Sequence, residues 1–311
     1  AAGSGESEIR RHLLENDLLE AVVALPDQMF YNTGISTYIW VVTNRKTPER
    51  RGKVQLVNGV KHFQKMRKSL GDKRKELSPE HIAELTRLYA GFAEGPEVKV
   101  FDNDDFGFRR IAVERPLQIN LQASPERIAR LEDEKAWQNL LTSKKKDKRA
   151  AAAEIEEGER TQQAVRIVLE RLDPERLYLS RDAFLKNLKA AAKGEDIKLA
   201  ANMIKAIVSA LSERDENAEV CMKGGQPEPD PELSDTENVP LKEDIDAYMA
   251  REVLPHVPDA WVDHSKTKIG YEIPFTRHFY EYTPPRPLEV IEAEIRELED
   301  EIRGMLGEVL G

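Results

Sequence analysis

The chain has 311 residues, of which 40% are hydrophobic and 33% charged, and no apolar run approaches the roughly 18–20 residues that would span a bilayer. The single cysteine, Cys221, excludes an intrachain disulfide and favours a reducing cytoplasm. The formal net charge of −10 argues against a nucleic-acid partner only if the charge is spread evenly. We therefore expect a cytoplasmic protein without membrane contact, long enough for two domains.

The first 60 residues predict three strands. The apolar run LLEAVVALP (18–26) stops at a proline and is typical of a strand buried on both faces. STYIWVVT (36–43) is rich in β-branched and aromatic residues and predicts a second buried strand. GKVQLV (52–57) predicts a third, followed by an Asn-Gly turn.

Two buried strands followed by mainly helical sequence do not by themselves form a sheet that is covered on both faces. We therefore expect further strands upstream, in a longer protein from which this chain is a piece. The alternative is a small mixed sheet completed by GKVQLV and by two short strands predicted over residues 97–116.

Most of the remaining chain predicts helices. A basic helix is expected over Lys61–Ser69, and helical periodicity continues over residues 125–213. Residues 212–240 are rich in acids and prolines and predict a flexible loop. The final segment, 287–311, predicts a coiled-coil-type helix that needs a packing partner. Its apolar residues are spaced alternately by three and four, at Leu288, Ile291, Ile295, Leu298, Ile302, Met305 and Val309.

Charge is concentrated in the segment that follows the second strand. Between residues 45 and 75, 12 Lys or Arg stand against two acids, whereas residues 131–311 carry 26 basic and 39 acidic side chains. The basic segment is either a solvated face or a surface that neutralises backbone phosphates. The candidates for phosphate contact are Lys61, Lys65, Arg67, Lys68, Lys73, Arg74 and Lys75.

Sites for metal or covalent chemistry are not indicated. The six histidines are scattered without metal-ligand spacing, so no metal is expected. Asp105-Phe106-Gly107 spells a kinase tripeptide, but the other kinase motifs are missing, so a turn is expected there. Cys221 lies in the predicted loop without groups that would lower its pKa, which argues against a nucleophile.

Three separated blocks resemble a known family. The blocks are GSGESEIRRHLLENDLLEAVVALPDQMFYNTGISTYIWVVTNRK, then KMRKSLGDKRKEL with DFGFRRIAVERPLQIN, then IGYEIPFTRHFYEYTPPRPLEVIEAEIRELE. In this order they are similar to the C-terminal portion of the modification subunit of type I restriction–modification systems, a DNA adenine-N6 methyltransferase. The resemblance extends over essentially the whole chain. It implies methyl transfer from S-adenosylmethionine to adenine N6 in DNA, with the target sequence read by a separate specificity subunit and with a restriction subunit in the full complex.

The resemblance also implies a fold of the α/β class. It implies the C-terminal part of a Rossmann-like S-adenosylmethionine-dependent methyltransferase sheet, with a basic extension, over residues 1–120. A mostly α-helical C-terminal region, 121–286, and the terminal helix, 287–311, would follow. LLEAVVALP and STYIWVVT resemble the last two strands of that sheet, the final one antiparallel.

This sequence departs from the family in lacking its glycine-rich cofactor loop and its Asn-Pro-Pro-Phe/Tyr motif. The one Pro-Pro pair, in Thr283–Arg286, has neither the amide nor the aromatic residue. We therefore expect no catalytic residue and no cofactor binding in this piece by itself. The rival interpretation is a non-enzymatic adaptor that contacts nucleic acid through residues 45–75 and docks partners through its terminal helix.

The resemblance gives two sets of residues a role. An adenine leaves the duplex before it is methylated and is held by aromatic stacking, which makes Phe30 (preferred) or Tyr31 the stacking residue, with Gly34 allowing the loop to turn. The alternative is that Phe30 packs in the core. Specificity-subunit helices would pair with a seam formed by Ile291, Ile295, Leu298, Ile302 and Met305. The alternative there is packing onto residues 161–213 of the same chain.

Overall fold

The computed structural model describes residues 2–282 and 284–310, and side chains to residue 306. Thr283 of the Pro-Pro segment and Gly311 of the predicted terminal helix lie outside the described residues. The helices are α1 (Gly5–Glu15), α2 (Pro79–Gly91), α3 (Pro125–Ala129), α4 (Lys135–Gln138), α5 (Lys148–Glu170), α6 (Arg181–Gly194), α7 (Ala201–Leu211), α8 (Ile245–Tyr248), α9 (Phe275–His278) and α10 (Leu288–Leu310). None of these helices is long and apolar enough to cross a bilayer.

The strands form several small sheets. They are β1 (Leu19–Ala24), β2 (Tyr38–Val42), β3 (Lys53–Asn58), β4 (Gln64–Leu70), β5 (Lys73–Glu76), β6 (Val98–Asp102), β7 (Gly107–Glu114), β8 (Ile119–Leu121), β9 (Ser212–Arg214), β10 (Met222–Lys223), β11 (Gln226–Pro227), β12 (Asp235–Pro240) and β13 (Trp261–Tyr271). The predicted α/β class is confirmed. The chain divides into two compact units, one made of Gly3–Gly107 with the described residues from Gly270 onward, the other of Phe108–Ile269. The predicted boundaries at 120 and 286 stay predictions.

The first unit is built on a four-stranded sheet in the order β2-β1-β3-β6. β1 runs parallel to β3, and the other two pairings are antiparallel. All six residues of β1 are buried, as its continuous apolar sequence predicts. β3 and β6 join this sheet, as the alternative of a small mixed sheet predicts, but the second strand of residues 97–116, β7, belongs to another sheet.

β2 is a strand, but the prediction that it is buried is wrong. Tyr38, Ile39, Trp40 and Val42 are 40–50% exposed. Because neighbouring residues in a strand point to opposite faces, this exposure means that β2 is uncovered on both faces. β2 is also the edge of its sheet, with β1 as its neighbour, so within the described residues its outer backbone groups have no strand to pair with.

The helix predicted over Lys61–Ser69 is wrong, because the structure has strand β4 there, paired with β5. In a helix, Lys61, Lys65 and Lys68 would lie on one face at spacings of four and three, where like charges repel. A hairpin separates these side chains. Its two-residue turn begins at Gly71, whose φ of 62° suits the first central position of a type II′ turn.

The second unit combines a helical core with a three-stranded sheet, β12-β7-β13. Helices α5, α6 and α7 enclose the buried side chains of Trp137, Phe184, Leu188 and Ile207. The helical periodicity over 125–213 thus corresponds to α3–α7. Strands β9–β13 dominate from residue 212 onward, so the expectation of a mostly α-helical region up to residue 286 is wrong for its second half.

Residues 212–240, predicted as a flexible loop, contain strands β9–β12. They also contain an ion pair between a buried carboxylate, Asp230, and the partly exposed Arg214. Asp230 is 1% exposed and accepts hydrogen bonds from Nε (2.6 Å) and a terminal nitrogen (2.7 Å) of Arg214. The Arg214 guanidinium holds the pKa of the Asp230 carboxyl below its usual range. A buried carboxylate with two charge-assisted bonds fixes a segment that has few apolar residues.

Cys221, expected in the same loop, is 3% exposed and belongs to the core of the second unit. Its backbone amide donates to the Leu117 carbonyl at 2.8 Å. Burial raises the pKa of its thiol, which opposes the thiolate form that a nucleophile needs.

Asp230→Asn should lower the free energy of unfolding at neutral pH by about 1–2 kcal/mol, because it removes a charge-assisted bond whose Arg214 partner is partly in water. The folded-state pKa of Asp230 is depressed, so its stabilisation is present above the unfolded value of about 3.9 and is lost as the pH falls through the folded value. The difference between wild type and variant should therefore vanish in acid. Urea denaturation at several pH values measures it.

Glu216→Gln is the control, since Glu216 is exposed in the same segment. It should leave stability unchanged at every pH. Equal stability of the Asp230→Asn protein and the wild type at neutral pH would contradict the prediction.

Candidate nucleic-acid interface

Phe30 and Tyr31 lie in the loop between β1 and β2, and both rings reach solvent. Phe30 is 49% exposed and Tyr31 57% exposed. Phe30 therefore does not pack in the core, which was the alternative considered from the sequence. An exposed aromatic pair after a buried strand offers ring faces to a ligand rather than to the protein interior.

The loop turns at Gln28 rather than at Gly34. Gln28 has a φ of 58°, in the left-handed region. Gly34 is outside that region, and a Cβ added to it would meet no atom within 4 Å. Nothing in the backbone at residue 34 therefore requires glycine. Phe30 and Thr33 form an isolated antiparallel bridge that closes the loop tip.

The basic hairpin, β4–β5 (residues 64–76), is attached to this loop by backbone hydrogen bonds. The amides of Arg74 and Lys75 donate to the Gln28 carbonyl at 3.0 and 3.3 Å, and the amide of Asp72 donates to the Tyr31 carbonyl at 3.0 Å. The Lys75 ammonium also pairs with Asp27. The loop and the hairpin therefore form one local structure.

Gly71 is where this attachment is tightest. A Cβ built on Gly71 would lie 2.7 Å from the Tyr31 carbonyl oxygen, closer than a side chain can approach a backbone atom. The residue thus needs to be glycine both for its positive φ and for this close approach.

Six of the seven predicted phosphate-binding residues lie on the hairpin: Lys65, Arg67, Lys68, Lys73, Arg74 and Lys75. Lys65 and Lys75 are directly opposite each other in the pairing register, an arrangement of like charges that destabilises a hairpin. Asp27 compensates Lys75, and the Lys73 ammonium lies 5.4 Å from the centre of the Tyr31 ring. Among the described residues, no acid pairs with Lys65, Arg67, Lys68 or Arg74.

Lys61, the seventh, lies apart from the hairpin. It follows β3 and lines a cavity of about 340 Å³ together with Asn58, Tyr38 and Phe279. Two other basic residues of the 45–75 segment are structural. Lys46 donates to Asp17 at 2.6 Å, and Arg50 donates to the Tyr89 carbonyl at 2.6 Å.

The terminal seam is uncovered in the structure. Ile295, Leu298, Ile302 and Met305 are 50–56% exposed, and Ile291 is half-buried. Residues 161–213, the alternative packing partner, belong to the other compact unit, and this alternative stays a prediction. In the part of the chain that the structure describes, no three His, Cys, Asp or Glu side chains cluster as a metal site requires.

Sequence reasoning did not identify Asp27, Gln28 and Gly71 as residues that hold this site together. The signal for Gly71 is present in the sequence, because Gly-Asp between two basic runs is typical of a hairpin turn. Asp27 and Gln28 have no such signal, since their contacts are with residues more than 40 positions away.

Gly71→Ala should detach the hairpin from the loop, because the new methyl group cannot lie beside the Tyr31 carbonyl. Amide hydrogen exchange should become faster in residues 27–31 and 64–76. Gly52→Ala is a matched control: Gly52 also has a positive φ, 70°, but its Cβ would meet open space. Both variants carry the backbone strain of about 1–2 kcal/mol, so only the clash distinguishes them. Unchanged exchange at residues 27–31 in the Gly71 variant would contradict this account.

The model of the family described as N-6 DNA Methylase matches residues 1–109. Among curated proteins, the type I restriction enzyme MjaIX methylase subunit of Methanocaldococcus jannaschii is 29% identical over 112 residues, 36% of this chain and 19% of that protein. The MjaVIII methylase subunit of the same organism is 33% identical over 30% of this chain and 16% of that protein. The HindI methylase subunit of Haemophilus influenzae is 40% identical over 18% of this chain and 12% of that protein.

A solved structure, the type I restriction-modification system methyltransferase subunit from Streptococcus thermophilus, matches 33% of this chain and 21% of its own chain, at 22% identity and a TM-score of 0.29. This chain thus spans about a fifth or less of the length of the curated relatives that it matches. The wider resemblance in the blocks beyond residue 109 stays a prediction. The similarity to type I restriction–modification methylase subunits is confirmed, with the N-6 DNA Methylase match in residues 1–109.

Proposed function

We propose that this chain is part of the modification subunit of a type I restriction–modification DNA methyltransferase, an enzyme that methylates adenine N6. In this proposal its β1–β2 loop holds the extruded adenine while the basic hairpin contacts the adjacent phosphates. The observation that carries the proposal is the set of backbone hydrogen bonds that join the basic hairpin to a loop with two exposed aromatic rings. In this proposal the intact enzyme acts in the cytoplasm, and its partners are DNA, a specificity subunit and a restriction subunit.

The chemistry of the loop suits an unstacked base. Aromatic rings hold extruded or single-stranded bases by stacking, which contributes about 1–3 kcal/mol per base. Phosphates next to an extruded nucleotide need cations, and the hairpin supplies them within the same local structure. Repulsion between the opposed Lys65 and Lys75 would fall when a phosphate binds between them, which favours the bound state.

The exposed edge of the sheet is an argument that the sheet has further strands in a longer polypeptide. An exposed edge strand with large apolar side chains on both faces pairs readily with other strands, and proteins normally cover such edges. The antiparallel pairing of β1 and β2 agrees with the last two strands of a Rossmann-like methyltransferase sheet. We infer that the free edge of β2 is where the rest of that sheet continues. Upstream sequence should then contain the glycine-rich loop and the Asn-Pro-Pro-aromatic motif. Upstream sequence without these two motifs would favour the adaptor interpretation.

The residues of this chain do not fit S-adenosylmethionine by themselves. Gly3 and Gly5 flank Ser4, which caps the first turn of α1 by accepting from the Ser7 amide at 3.3 Å. Glu8 stands where a dinucleotide-binding loop has its third glycine. We therefore assign the cofactor to the intact subunit and give this chain the roles of holding the base and the DNA backbone.

Phe30→Ala and Tyr31→Ala in the intact enzyme should each be tested for methyl transfer. Loss of the stacking ring should lower kcat/KM by about 5- to 150-fold, the equivalent of 1–3 kcal/mol. The larger loss identifies the stacking residue, and an aromatic replacement (Phe30→Tyr or Tyr31→Phe) should retain most of the activity. Transfer of a labelled methyl group to a target duplex measures it.

Ile35→Ala is the matched control, because Ile35 is 69% exposed in the same loop and has no ring. It should methylate like the wild type. Full activity in both aromatic variants would overturn the stacking role.

Replacing the four unpaired hairpin cations with Gln should reduce the salt dependence of DNA binding by the intact enzyme. Each lost phosphate contact lowers the slope of log K against log salt by about 0.9, so a total decrease of about 2–4 is expected. The changes are Lys65→Gln, Arg67→Gln, Lys68→Gln and Arg74→Gln. Fluorescence anisotropy at several salt concentrations measures the slope.

A control with the same change in net charge uses exposed lysines of the second unit: Lys186→Gln, Lys189→Gln, Lys193→Gln and Lys205→Gln. Its slope should equal that of the wild type. An identical decrease in both variants would mean that net charge alone, and not the hairpin, determines binding.

A further inference from the structure

A cavity of about 340 Å³ lies at the carboxyl ends of two parallel strands in the first unit. Ala24 and Asn58, the last residues of β1 and β3, are paired in the sheet register, and both line the cavity. From the end of β1 the chain turns to β2 on one side, and from the end of β3 it continues to β6 on the other side. In open α/β sheets, ligands bind in the crevice where neighbouring strands lead in opposite directions. The cavity therefore lies where the topology of the sheet favours a binding site.

The strand ends that line the cavity are held together at Gly59. Its amide donates to the Ala24 carbonyl oxygen at 2.9 Å, and a Cβ built on Gly59 would lie 2.6 Å from that oxygen. A larger residue would push the two strand ends apart, so the close approach requires glycine. Asn58 is the residue directly before this contact, and its backbone is fixed by it.

Three aromatic side chains line the cavity: Tyr38, Phe275 and Phe279. Their rings follow one another, with centroids 5.3 Å apart for Tyr38 and Phe275 and 5.0 Å apart for the stacked pair Phe275 and Phe279. Phe275 is buried, whereas Tyr38 is 42% exposed and Phe279 is half-buried. Packing within the protein thus uses the Phe275 ring fully, and the other two rings keep surface for the flat ring of a ligand.

Asn58 and Lys61 supply polar groups to the same cavity. Among the described residues, the Asn58 side chain makes one hydrogen bond, in which its Oδ1 accepts from the Val60 amide at 3.5 Å, a weak contact. The Lys61 ammonium has no acidic partner in the described structure. A side-chain amide donates and accepts and can bond the edge of a purine, and an unpaired ammonium suits a phosphate.

Two carboxylates complete the charged groups that line the cavity, Glu97 and Glu281. The Glu97 carboxylate is hydrogen-bonded to the His62 ring at 2.9 Å. Glu281 is exposed and has no basic partner among the described residues, so it can accept from sugar hydroxyls, as an acid does in nucleotide sites. One ammonium beside two carboxylates suits a ligand with one phosphate and disfavours a chain of phosphates.

We propose that this cavity binds a purine ribonucleoside 5′-monophosphate, a free small molecule distinct from the methyl donor and from DNA. The base packs on Tyr38 and Phe279, and Asn58 bonds its edge. Glu281 accepts from the ribose hydroxyls, and Lys61 contacts the phosphate. Small-molecule sites measure about 300–1,000 Å³, so a cavity of about 340 Å³ fits one nucleotide and not a dinucleotide. The proposal does not rest on the proposed function.

Isothermal titration calorimetry of the full chain tests the ligand class. AMP should bind more tightly than CMP, whose smaller ring covers less of the aromatic surface, and ribose 5-phosphate should not bind because it has no ring. dAMP should bind about fivefold more weakly than AMP, because the hydroxyl that Glu281 accepts from is missing. S-adenosylmethionine should bind more weakly than AMP, because it presents a sulfonium and an ammonium in place of the phosphate near Lys61.

Lys61→Gln should lower the affinity for AMP by about tenfold, to that of adenosine, and should leave the binding of adenosine unchanged. Lys53→Gln is the matched control, since Lys53 is exposed at the opposite end of the same strand, and it should bind AMP like the wild type. Phe279→Leu should weaken both ligands, and Phe279→Tyr should restore them, because the ring and not the volume is needed.

Four results would overturn the proposal. These are no binding of AMP at millimolar concentration, equal binding of AMP and ribose 5-phosphate, equal losses in the Lys61 and Lys53 variants, and tighter binding of S-adenosylmethionine than of AMP. Equal affinity for AMP and dAMP would overturn the assignment of a ribonucleotide. The assay contains no DNA and measures no methyl transfer, so its failure would leave the proposed function standing.

Discussion

The candidate site depends on three backbone hydrogen bonds from the basic hairpin to the aromatic loop. They join Asp72, Arg74 and Lys75 to the carbonyls of Tyr31 and Gln28. A two-stranded hairpin is marginal by itself, and a loop with exposed rings has little to fix it. Each therefore supports the other. Because the bonds are made by the backbone, they leave the side chains of Lys65, Arg67, Lys68 and Arg74 without an acidic partner in the described structure. Gly71 is needed at the point of closest approach.

Charge in this protein is concentrated in particular segments, and the net charge of −10 is the sum of surfaces with opposite signs. The hairpin concentrates cations, several of them without acidic partners in the described structure, beside two aromatic rings. Helix α10 concentrates carboxylates along an apolar seam. Exposed charges interact over about a Debye length, 8–10 Å at moderate salt, so the local distribution of charge matters more than the net charge.

The four-stranded sheet ends at a strand that is not suited to solvent. β1 is fully buried between β2 and β3, whereas β2 exposes large apolar side chains on both faces. Burial of apolar area is the main stabilising contribution to folding. An uncovered edge strand leaves apolar side chains in water, where they do not contribute to stability. The same residues that make β2 a good strand thus make its edge a surface suited to pairing with another strand.

The sequence by itself determined the features that depend on neighbouring residues. These are strands β1–β3, the helices of 125–213, the heptad pattern of α10, and the presence of rings and cations in adjacent segments. It did not predict that residues 61–69 form a strand or that 212–240 is held by Asp230 and Arg214, because those outcomes depend on partners distant in sequence. Burial of β2 was also misjudged, since the same apolar pattern occurs at the centre and at the edge of a sheet. Only the tertiary structure decided which cations stay unpaired and which, such as Lys46 and Arg50, are buried, because a side chain's partners are set by long-range packing and not by its own segment.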